Sequence, residues 1–191
     1  MPRLSEISQE NRDDLKGAIT RFGGYDKFCA LARLIPYKEW QYFESQLDLL
    51  LRLRQYLREF HGGREDFFPP TADVLADGYE TLHEHIQQLG GRKLIASRLG
   101  MHYSFQMNAH PSSNLIELQY LNFGPFTLDF AIRLMQFVRA DMMQMSSPLA
   151  VTMIKMPTAE KLNYCGEASL ALEVRDFGGT ENVARRLGLA L

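Results

Sequence analysis

The stretch Ile86-Gln87-Gln88-Leu89-Gly90-Gly91-Arg92-Lys93-Leu94-Ile95-Ala96-Ser97-Arg98-Leu99-Gly100-Met101 decides the fold. An amphipathic run enters two glycines and leaves into a second apolar run that closes on Leu-Gly. The same pattern returns at Val174-Arg175-Asp176-Phe177-Gly178-Gly179, followed by Val183-Ala184 and Leu187-Gly188-Leu189. It appears a third time, in weaker form, at Ile19-Thr20-Arg21-Phe22-Gly23-Gly24, where Phe28-Cys29 replace the Ile-Ala pair. Upstream, Leu82 and Gly78 match Leu170 and Gly166 at identical offsets, and Leu15 and Asn11 take those places in the weak copy. Recurrence at a fixed offset is the signature of a repeat architecture.

Glycine is the residue that enters the left-handed conformation without steric cost, so each pair reads as a structural turn between helices. Gly23, Gly24, Gly90, Gly91, Gly178 and Gly179 are the six positions. In block two, Pro70-Thr71 predicts a helix start capped by Thr71, with Asp73 in the first turn. Val74, Leu75, Leu82, Ile86 and Leu89 then recur at helical spacing up to Gly90, and the next helix is expected to bury Leu94, Ile95 and Leu99. Block three restarts at Met156-Pro157-Thr158, one residue early, which predicts a slipped helix start. The reading is all-α: tandem helical hairpins, seven to nine helices, packed into one compact or short superhelical domain over 1–191. Its parts are a degenerate block 4–35, block 69–101 and block 156–189, stacked into one continuous core. Long amphipathic helices at 37–60 and 124–144 join them. The first carries Trp40, Phe43, Leu47, Leu50, Leu53, Leu57 and Phe60 on one stripe; the second carries Phe126, Phe130, Leu134 and Phe137. Leu115 to Leu121 reads as a short helix in preference to a strand.

Composition narrows the function. A chain of 191 residues, 46% hydrophobic and 11% aromatic, is globular. A net charge of -2 argues against a dedicated nucleic-acid binder. Two cysteines, Cys29 and Cys165, lie outside any metal-ligand spacing and fit inert core thiols in a reducing compartment. The apolar run Leu121 to Val138 is broken by Asn122, Asp129, Arg133 and Gln136, so no transmembrane segment is expected.

The copies also resemble the first helix of a helix-turn-helix, but no recognition helix follows any of them. The glycine pairs lack the Lys-Ser/Thr of a phosphate loop. His83 and His85 point about 200° apart on a helix and cannot share a metal. His102 and His110 flank an insertion and would meet only if it folds back, and His61 follows a helix end, where partial positive charge suits the dipole. Asp13-Asp14 and Glu65-Asp66 read as solvated turns or helix starts. No metal and no cofactor is predicted, with a pigment held by a single histidine left open, and no catalytic residues are assigned. Arg52, Arg54, Arg58 and Arg64, then Arg92, Lys93 and Arg98, then Arg185 and Arg186 form modest basic clusters on solvated faces. The methionines are the remaining signal. Eight of nine lie between Met101 and Met156. Met142, Met143 and Met145, with Leu149 and Ile154, are the candidate partner-docking residues, because methionine is favoured on adaptable binding surfaces.

Pro-Thr, Gly-Gly and Val-Ala-x-x-Leu-Gly in this order resemble a tandem repeat of poorly characterised plant and algal proteins, many of them plastid-directed. The resemblance covers the three blocks and carries no catalytic residues. It implies a helical-repeat protein of the plastid. The expectation is a non-catalytic scaffold or linker subunit docked onto protein subunits of a larger plastid assembly, with a thylakoid light-harvesting complex or photosystem as the chosen example. Membrane association would be peripheral, through those partners. The alternative is a nucleic-acid-associated organellar gene-expression factor.

Overall fold

A computed structural model describes residues 3–32, 37–102, 126–144 and 153–191. The described residues form eleven helices: α1 Leu4–Gln9, α2 Asp13–Arg21, α3 Tyr25–Leu31, α4 Tyr37–Phe60, α5 Thr71–Ala76, α6 Glu80–Gln88, α7 Gly91–Leu99, α8 Leu128–Gln144, α9 Ala159–Tyr164, α10 Ala168–Asp176 and α11 Gly179–Leu187. The all-α class holds. None of these helices is long and apolar enough to cross a membrane.

Each block is a triplet of short helices, not a hairpin. The six paired glycines are left-handed corners, with φ from +84° at Gly91 to +105° at Gly90. A further corner splits what reads as one helix from Thr71 to Gly90. Gly78 and Gly166 have φ of +80° and +84°, and Asn11 takes +52° in block one. Glycine and asparagine are the residues that accept this conformation, so the three copies break at the same place. Behind each corner the same backbone bond closes: Arg12 N–H to Ile7 C=O, Tyr79 to Val74, Glu167 to Leu162, at 3.1, 3.0 and 2.8 Å. This extra break accounts for more helices than the pattern predicts.

Blocks two and three superimpose in register at an offset of 88 residues, helix for helix, so the expected slip of block three is corrected. Only the cap differs. Pro70 stands at the N-cap of α5 with no side-chain bond, whereas Thr158 caps α9 by accepting from Lys161 N–H at 3.2 Å. Thr71 is therefore the first helical residue and not the cap. Each block ends by pairing with its own entry segment. His102 N–H donates to Asp66 and Phe68 N–H donates to His102; Ala190 and Met156 repeat this with Ile154 and Ala190. These two parallel bridges are the β-pairing among the described residues.

The long helices belong to the repeat as well. Ser45 of α4 meets His85 of α6, and Arg133 of α8 meets Glu173 of α10, both pairs separated by the same offset of 88. The chain thus contains two matching halves, α4–α7 and α8–α11. They meet through like elements, α4 against α8 and α7 against α11. Arg54 pairs with Asp129 and Glu44 with Arg139, so α4 and α8 run antiparallel. Like packing on like is the contact pattern of a two-fold relation.

Burial follows the halves. The core joins Phe43, Leu47, Leu50, Leu53 and Leu57 of α4 to Leu82 and Ile86 of α6, Phe130, Leu134 and Met135 of α8, and Leu170 and Val174 of α10. Tyr56 joins them, its hydroxyl donating to Asp77 at 2.6 Å. Phe60, Leu75 and Leu94, assigned to buried stripes, are 41%, 41% and 38% exposed. Leu94 instead lies over Gly90, where an added Cβ would sit 2.5 Å from its Cδ2. Block one buries Ile7, Ile19 and Cys29.

Candidate docking groove

A groove of about 410 Å³ opens where the second parallel bridge crosses the first half of α4. Phe43, Ile154 and Leu189 form its apolar floor, Tyr42 and Gln46 one wall, and Glu39 and Met153 lie at the mouth. Gly188, left-handed at φ +67°, brings the α11 end close to this wall; a Cβ there would lie 3.6 Å from the Gln46 amide. Gln46, with its amide nitrogen turned to the Leu187 carbonyl (2.9 Å), accepts from Arg98 Nη1 at 3.2 Å and from Tyr42 Oη–H at 3.0 Å. The wall is therefore held by α4, α7 and α11 together. Tyr42 and Met153 remain 41% and 51% exposed, so apolar surface lines the opening.

The predicted docking residues divide. Met142 is half-buried against the core, and Met143 is 58% exposed on the last turn of α8. Ile154 is buried, because its segment pairs with Ala190; it forms floor and not patch. Met145 and Leu149 lie outside the described residues, as do His110, Gly124-Pro125 and the segment 115–121. Tyr42 and Gln46 were missed by the sequence reading, since a polar residue on an amphipathic helix reads as solvated. Their positions opposite Leu187 are tertiary information.

Other clusters are brought together from afar. Ser45 Oγ lies 2.7 Å from His85 Nε2, and His85 Nδ1 lies 3.6 Å from Asp48, which is already paired with Arg52 at 2.7 Å. Burial holds the His85 imidazole below the usual histidine range, with Asp48 pulling it up and Arg52 adding to the depression. An acyl-transfer site needs donors for a developing oxyanion beside its nucleophile. Ser45, His85 and Asp48 instead lie along helices whose backbone N–H groups are engaged in their own turns, so the cluster reads as an α4–α6 contact. Burial pushes the Cys29 thiol up, against reactivity. Cys165, expected in the core, closes α9 and is exposed. Glu65 is no mere turn residue: its carboxylate accepts from Leu128 N–H at 2.9 Å and completes the start of α8. Among the described residues no group of three or more His, Cys, Asp or Glu is placed to hold a metal ion.

Several arginines of the basic clusters have partners within the protein. Arg64 pairs with Asp66, Arg54 with Asp129, and Arg185 with Asn182. Arg186 is 3% exposed, its Nε–H donating to Arg98 C=O at 2.7 Å and its guanidinium 4.4 Å from the Phe126 ring centre. No family model matches the chain, and no curated protein or solved structure matches it either.

Proposed function

We propose that this chain is a non-catalytic scaffold or linker subunit that docks an apolar peptide segment of a partner protein in the α4 groove. The carrying observation is the groove itself: an apolar floor, two exposed apolar side chains at the lip, and a wall fixed by Gln46. Pre-organised apolar clefts of this kind reward an inserted side chain without a prior rearrangement. Glu39 at the mouth favours a basic residue beside the inserted apolar one. The resemblance of the repeats supports placing that partner in a plastid assembly, with a light-harvesting complex as the example to test first. Arginines already committed to carboxylates and carbonyls give the nucleic-acid reading no support of their own.

The test is native isolation from the source organelle of wild type beside Tyr42→Glu and Met153→Glu, both surface changes. The expected result is a stoichiometric protein partner, resistant to nuclease and lost in both variants. Recovery of the chain alone, or a partner retained equally by both variants, overturns the proposal.

A further inference from the structure

We draw no further inference here: the strongest candidate, the side-chain cluster of Tyr42 and Arg98 on α4 and α7 at the positions where Phe130 and Arg186 of the other half hold Phe126, lies beside the start of α4, whose preceding residues 33–36 are outside the described ones, so nothing in the structure shows what covers it.

Discussion

The two halves use one backbone and different chemistry at the same contact. In the half α4–α7 the long helix meets its partner through Ser45 and His85, a neutral pair set back from solvent. In the half α8–α11 the same two positions hold Arg133 and Glu173, an ion pair in which Arg133 Nη2 donates to both carboxylate oxygens at 2.7 Å. The neighbouring apolar residues barely change: Leu47 and Leu50 correspond to Met135 and Val138, and Leu82 and Ile86 to Leu170 and Val174, all of them buried. Glycine corners and buried volume therefore fix the arrangement, while the polar contact at its edge is free to vary. Block one extends the comparison. Its corners at Asn11, Gly23 and Gly24 are kept, but Ala18 stands where His85 and Glu173 stand.

The largest expected effect breaks the equivalence between blocks. Leu82→Ala and Leu170→Ala each empty a site at 1% exposure inside the main cluster and should each cost about 2–5 kcal/mol. Leu15→Ala, at the matching but half-buried position, should cost about 1 kcal/mol, because less surface leaves water on folding. Denaturant unfolding of the three variants checks this. Equal losses at all three positions would mean that block one belongs to the same cooperative core.

A smaller effect sharpens the account of the corners. Gly90→Val and Gly178→Val place a β-branched residue at φ of +105° and +91° and should each destabilise by about 1–2 kcal/mol. At Gly90 the new Cβ also meets Leu94 Cδ2 at 2.5 Å, the end of a side chain that has to swing aside. Gly91, whose Cβ would find its nearest neighbour at 3.8 Å, isolates the cost of the backbone alone. Unchanged melting of Gly178→Val would remove the conformational argument.

Those corners were legible in the sequence because a left-handed residue leaves a local mark, glycine, wherever it occurs. The helix over 37–60 was legible for the same reason: its stripe is local, and α4 spans Tyr37–Phe60. The break at Gly78 was missed although it left a signal. Position 11 holds asparagine where 78 and 166 hold glycine, the substitution expected of a left-handed residue and of nothing else in a helix interior. The relation of α4 to α8 was hidden because their shared positions conserve volume and not identity, as Leu47 with Met135 and Leu50 with Val138 show. The groove was not legible at all. Ile154 and Tyr42 differ in burial through a bridge to Ala190, 36 positions on, and a Gln46 contact to Leu187, 141 positions on.

The smallest effect separates the halves by pH. His85 has a folded pKa held below the ordinary value of 6.5, chiefly by burial, so the unfolded chain takes up the proton first. Stability from the neutral Ser45–His85 contact is complete above about pH 6.5 and declines as pH falls through that value toward the depressed folded pKa. The loss should be on the order of one hydrogen bond, about 1 kcal/mol or less, because the imidazole keeps Asp48 at 3.6 Å as a partial counter-charge. His85→Gln, which preserves a hydrogen-bonding group for Ser45 and cannot take up the proton, should flatten the curve over this window. Arg133→Met acts on the other half and should lower stability by a similar amount at every pH, leaving the slope between pH 7 and 5 unchanged, because the group it removes stays charged throughout. Measured side by side, the two variants assign the slope to one half of the protein: a slope that survives His85→Gln would place the titrating group elsewhere and dissolve the distinction between the two contacts.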